Sequence, residues 1–167
     1  MKLKIKEIAV LAMLGSIMCA SDYLMDLLPN VHLIGVFTVA ITVVFRFKAL
    51  WAIYTYVFLL GLTSGFSLWW IPYLYVWAVL WGVVVLLPKN MPKKIAPIVY
   101  MIICALHGYL FGTLYAPAQA IMFGYNFNQT VAWVIAGIPA DLIHGTSNFI
   151  CGILIFPIVK VLKNATA

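Results

Sequence analysis

Six apolar runs, at about residues 8–28, 31–45, 49–66, 69–87, 95–116 and 131–159, contain no lysine or arginine. Runs of this length and composition are expected to cross a lipid bilayer as helices, because in hydrocarbon each backbone N–H and C=O must be satisfied within its own segment. The breaks between them are too short for a separate soluble domain. Across 167 residues, 66% are apolar and 8% charged, which fits an integral membrane protein and excludes an ordinary water-soluble core. The expected fold is therefore all-α, a single membrane domain over residues 1–167 with six transmembrane helices. The basic, then apolar start resembles a signal peptide, but its apolar run continues through Leu28 without a clean cleavage signal, so it is taken as a retained first helix.

The ten basic residues fall in four groups: Lys2, Lys4 and Lys6; Arg46 and Lys48; Lys89, Lys93 and Lys94; Lys160 and Lys163. With six spans all four groups lie on one side. By the positive-inside rule that side is the cytoplasm and both termini are cytoplasmic, in a bacterial plasma membrane. The net charge of +6 then reports orientation, and nucleic-acid binding is not needed to explain it.

Polar residues inside the runs collect at one depth. Taking Lys160 as the inner end of the last helix, a rise of about 1.5 Å per residue puts His144 roughly 24 Å and Asp141 roughly 29 Å above it. On the same ruler His107 lies roughly 20 Å above Lys94, and Asp22 roughly 24 Å above Lys6. Asp141, His144 and Asn148 are spaced i, i+3 and i+7 and share a helix face. That face is either the wall of an outward-opening polar cavity or a knot of groups satisfying one another. Pro139, just above, removes a backbone donor and can kink the helix there. His107 is either an interhelical hydrogen-bond partner or a ligand contact. Trp70, Tyr73, Trp77 and Trp81 stack at helical spacing, as interfacial anchors at the top or as a surface for a ring. His32, at the start of the second run, joins these candidates for substrate binding.

Small residues recur every four positions on two faces: Ala12, Ser16 and Ala20 in the first helix, and Gly108, Gly112 and Ala116 in the fifth. Both suit close helix approach, the second against Gly137 and Gly145 of the last helix. Cys19, Cys104 and Cys151 lie far apart in apolar segments, so neither a disulfide framework nor a metal cluster is expected. No cofactor is expected. There is no G-x-x-x-x-G-K-[ST] loop for ATP, and no Lys or Arg within a span to pair with an anionic ligand. No matching pair of broken segments relates the two halves, which argues against a self-sufficient secondary transporter.

Six short helices, a small-residue face on the first, and the stretches "LLPNVHLIGVFTVAITVVFRFKALWAIYTYVFLLGL", "GFSLWWIPYLYVW" and "IPADLIHGTSNF" together resemble the S components of energy-coupling factor (ECF) transporters. The resemblance implies a non-enzymatic, membrane-embedded vitamin-binding subunit. It would work with a transmembrane T component and two cytoplasmic ABC ATPases for ATP-driven uptake. The family's A-x-x-x-A docking pattern maps onto Ala12 and Ser16, with Ala20 one turn further on; serine replaces the second alanine. The resemblance also places the substrate pocket in the outer halves of helices four to six and the outer loops. The absence of intramembrane cations disfavours folate, biotin and pantothenate. An aromatic, histidine-rich cavity then favours cobalamin, followed by riboflavin and by a thiamine-like cation paired with Asp141. A rival of another class is a rhomboid-like intramembrane hydrolase, since Gly145-Thr146-Ser147 begins like a G-x-S-G motif; Asn148 replaces its last glycine.

Overall fold

The computed structural model describes residues 4–166, so Lys2 lies outside the described residues. They form eight α-helices and no strand: α1 Ile5–Met25, α2 Ile34–Phe45, α3 Ala49–Ser64, α4 Tyr73–Leu86, α5 Ala96–Tyr109, α6 Phe111–Phe123, α7 Phe127–Cys151 and α8 Ile155–Thr166. Five helical runs are long and apolar enough to cross a membrane: Ile5–Met25, Ile34–Ser64, Leu68–Leu86, Ala96–Phe123 and Phe127–Ala165.

The run Ile34–Ser64 is a hairpin. Lys48 Nζ sits 2.5 Å from Glu7 at the start of α1 and α3, while the Tyr23 hydroxyl meets Thr63 and Ser64 at their far ends. α1 and α3 thus run in the same direction, and α2 returns between them. The reversal occurs at Arg46, whose φ of 53° lies in the left-handed region that non-glycine residues seldom enter. Its guanidinium reaches the end of α4 and donates to the carbonyls of Val84, Val85 and Leu87 at the helix C-terminus, where Val84 O also accepts from the Leu87 N–H. Trp81 of α4 in turn donates to the Arg46 carbonyl at 3.1 Å.

Three boundaries of the last two runs differ from the sequence expectation. The fifth run bends at Leu110 and continues as α6 to Phe123. The sixth starts at Phe127, ahead of residue 131, because Asn126 and Gln129 form a reciprocal cap that satisfies the first free N–H groups. It also extends past 159 through a 3₁₀ turn at Gly152–Leu154, where Gly152 lets the backbone approach Met101.

Basic groups gather at one end. Lys4 and Lys6 border a cavity with Glu7 and Phe45, whereas Lys89, Lys93 and Lys163 border another beside the starts of α5 and α8. Two apolar cores fill the bundle, one joining α1, α2 and α3 with Trp77, the other joining α2, α4, α5 and α8.

Candidate functional site

The helix pair α5 and α7 fixes the site. A Cβ on Gly108 would lie 2.7 Å from the Cα of Gly145, so these helices touch backbone to backbone. One turn along, Gly112 faces Asp141, with the same construction giving 2.6 Å to its carboxylate. Ala116 is buried too, but Gly137 has open space around it, so only Gly145 of the two expected partners meets the small-residue face.

Asp141 explains the bend at Leu110. Both its carboxylate oxygens lie 3.1 Å from the Gly112 N–H, one of the free donors at the first turn of α6. A negative charge there also complements the helix dipole. The acid expected in a binding wall is thus a cap for the helix packed beside it.

Above the Gly108 crossing, the other polar candidates meet aromatic rings. His144 packs on Phe111 at 4.8 Å between ring centroids and on His32 at 4.4 Å. His32 meets Trp77 edge-on at 6.0 Å, and Trp77 lies 5.4 Å from His107. Tyr73 adds contacts to Trp77 and Phe111. Three histidines from the α1–α2 loop, α5 and α7 therefore surround Trp77 and Phe111. Among the described residues no group of three His, Cys, Asp or Glu is arranged to hold a metal ion.

Four polar atoms in this layer are buried without a hydrogen-bond partner in the protein, His32 Nδ1, Trp77 Nε1, His107 Nδ1 and His144 Nε2, and a fifth, Asn148 Oδ1, lies on the other side of the Gly108 crossing beside Gly35 and Cys104. Partial satisfaction makes their roles specific. His107 Nε2 lies 3.0 Å from the Val76 carbonyl and must donate to it, so a neutral ring keeps Nδ1 as an acceptor. Asn148 Nδ2 donates to Cys104 O, leaving Oδ1 as a second acceptor. Trp77 offers a donor only. Burial, with His107 nearby, pushes His32 in the α1–α2 loop down to about 4, so its imidazole is neutral at neutral pH.

The rings fill the layer, and cavities border it. A pocket of about 70 Å³ under the α1–α2 loop has Asp22, Asp26, Asn30 and His32 in its wall. An apolar groove of about 230 Å³ between α4 and α5 reaches His107 from the other side. The loop is held by Ser147, whose hydroxyl lies 3.2 Å from Asn30 O and 2.9 Å from His144 O; Asn30 itself has φ 60°.

The remaining candidates separate. Asp22 accepts from the Tyr56 hydroxyl at 2.9 Å, and Tyr56 packs on Trp77, so the acid hydrogen-bonds to a tyrosine at the edge of the layer. Trp70 lies in the 3₁₀ turn before α4 and donates to Val57 O, which turns it toward α3 and away from Trp77. Ala12, Ser16 and Ala20 form an exposed face of α1, and Ser16 spends its hydroxyl proton on Ala12 O, which leaves that face without an open donor.

Phe111, Tyr115 and Tyr56 belong to the layer and its surroundings but were not among the sequence candidates. Phe111 and Tyr115 follow His107 at successive i+4 steps, a signal present in the sequence. Tyr56 carried none, since only the parallel packing of α3 on α1 brings it to Asp22.

The chain matches no protein-family model, no curated protein and no solved structure.

Proposed function

We propose that this chain is the S component of an ECF-type importer, a membrane subunit that captures a water-soluble vitamin from outside the cell. The observation that carries the proposal is the set of four buried polar atoms without protein partners in one aromatic layer away from the lysine-rich end, with a fifth, Asn148 Oδ1, beyond the neighbouring helix crossing. Each such atom costs about 1–3 kcal/mol when left unmet, so the layer is suited to a ligand that brings its own donors and acceptors. The resemblance supplies the rest of the proposal. With six crossings the basic groups fall on one side, which the positive-inside rule makes the cytoplasm, together with both termini. The exposed Ala12, Ser16 and Ala20 face of α1 is the surface for a T component, and two cytoplasmic ATPases supply the energy.

Cobalamin remains the first candidate, since its uncharged amide rim can meet both the imidazole acceptors and the indole donor. Its size requires the loop at 26–33 to lift from Ser147. Riboflavin, stacked on Trp77, is next. A thiamine-like cation has less support, because Asp141 already serves the α6 N-terminus. The hydrolase reading has less still, since the Ser147 hydroxyl faces two carbonyls and not a histidine nitrogen.

Calorimetric titration of the detergent-solubilised chain against a vitamin panel tests the proposal. One vitamin should bind below the micromolar range, and His144→Ala should weaken it about tenfold or more, the loss of one buried hydrogen bond. Absence of any such ligand would overturn it.

A further inference from the structure

The hairpin of α6 and α7 is longer than a bilayer crossing needs. Thirty-three positions separate Lys160, at the basic end, from Phe127, the first residue of α7, and both lie in one helical run. At about 1.5 Å per residue that is roughly 50 Å, whereas a hydrocarbon core of about 30 Å crossed at a tilt of about 40° takes up only roughly 39 Å. α1, with 21 residues, spans about 30 Å and leaves no such excess. Two contacts fix where the excess begins: Tyr115 donates to Trp69 O in the turn before α4, and it stacks on Trp133 of α7 at 6.0 Å. Past that level α6 runs on to Phe123, about 12 Å further.

A helix end that stands in water ordinarily carries charge, yet residues 95–140 contain no Asp, Glu, Lys or Arg. Ile121 is 84% and Phe127 80% exposed, and Phe123 between them is exposed too. Tyr125, Asn126, Asn128 and Gln129 complete the tip with a ring and amides, a composition suited to the boundary between acyl chains and headgroups. Phe127, Val131, Ile135, Ile138 and Leu142 are all exposed and follow one another at steps of three and four. They form one stripe that runs from the tip down to the depth where α7 lies in hydrocarbon. Beside it an apolar groove of about 360 Å³ opens between the two helices, with Ala116, Pro117 and Val134 in its wall.

We propose that the hairpin tip is an interfacial anchor, bedded in the lipid leaflet remote from the lysines. Ile121, Phe123 and Phe127 lie among the upper acyl carbons, and the amides of the tip lie at headgroup level. Continuity of the stripe selects lipid over a protein partner, because the same face of α7 meets acyl chains lower down. Pro117 and Pro139 each remove one backbone hydrogen bond from the helices leading to the tip, where the hairpin can incline toward the bilayer. The inference does not depend on the vitamin-binding proposal; it requires only that the apolar helices cross a bilayer.

The test is photo-crosslinking of the full chain in vesicles of phosphatidylglycerol and phosphatidylethanolamine, with Phe127 replaced by p-benzoylphenylalanine and the adducts read by mass spectrometry. Lipid adducts should dominate. Their yield should be about tenfold that of the same replacement at Asn90 in the α4–α5 loop, the ratio given by burial of roughly one apolar side chain. Ile121, on the other helix of the tip and just as exposed, should give the same result if the first variant does not fold. A lipid yield no higher than at Asn90 overturns the proposal and leaves the hairpin in water. An adduct to a second copy of the chain overturns it in favour of a self-association surface. An adduct within the chain to residues 26–33 also overturns it, in favour of a lid over the aromatic layer.

Discussion

Trp77 and Trp81 stand one turn apart on α4 and have opposite fates. Trp81 donates to the carbonyl of Arg46, which in turn donates to Val84, Val85 and Leu87 at the end of the same helix. Trp77 is 1% exposed, and its indole N–H meets no acceptor. The same demand, that polar groups in hydrocarbon be satisfied, is largely met at one end of the bundle and left open in the layer toward the other. Of eight unpartnered buried side-chain atoms among the described residues, four belong to that layer, so the deficit is concentrated where His32, His107 and His144 converge. Satisfied polar groups position helices, and the unsatisfied ones are the atoms on which the proposed binding site rests.

Substitutions at the two ends can break or sharpen this contrast. The largest effect is expected at Arg46. Arg46→Ala strips three carbonyls of a charged donor and should lower unfolding stability in detergent by about 3 kcal/mol, read as a fall in melting temperature. A change below about 0.5 kcal/mol would mean the clamp is ornamental, since hydrogen bonds to charged groups ordinarily exceed that. Asp141 should be intermediate, for it is a satisfied acid among unsatisfied neighbours. Asp141→Ala should cost about 1–2 kcal/mol, the usual loss of a cap, while Asp141→Asn keeps an acceptor and recovers most of it. Equal losses in both would show that the charge, and not the acceptor, holds α6. The smallest effect on stability is expected at His144. His144→Phe removes an unmet nitrogen while keeping the ring against Phe111, so melting should be unchanged or improved by up to about 1 kcal/mol. Marked destabilisation would place His144 with the structural groups and dissolve the contrast.

Much of the architecture was legible in the sequence because it depends on hydropathy and charge, which act over whole segments. The one-ended placement of the lysines and the shared face of Asp141, His144 and Asn148 followed from spacing alone. The site was less legible. That Asp141 caps α6 depends on Gly112, twenty-nine residues away, and on a bend at Leu110 that hydropathy does not register. Trp70 shares a helical period with Trp77 in sequence, yet Pro72 follows it in a 3₁₀ turn, and the stripe breaks there. His32 reaches His144 only because Asn30 adopts a left-handed turn that folds the loop inward.

The contacts of α5 with α7 also limit how the halves of the bundle can move. Cys104 with Asn148 and Gly108 with Gly145 mesh one turn apart, and Gly112 at the start of α6 continues the series against Asp141, like the teeth of a rack. At Gly108 an added Cβ would fall 2.7 Å from the Cα of Gly145, so the two backbones there leave no room for a side chain. A shift along the axis would have to jump a full pitch, about 5.4 Å, before small residues again faced one another. Gradual sliding is closed to this pair, and α5 and α7 must tilt or turn together as one piece.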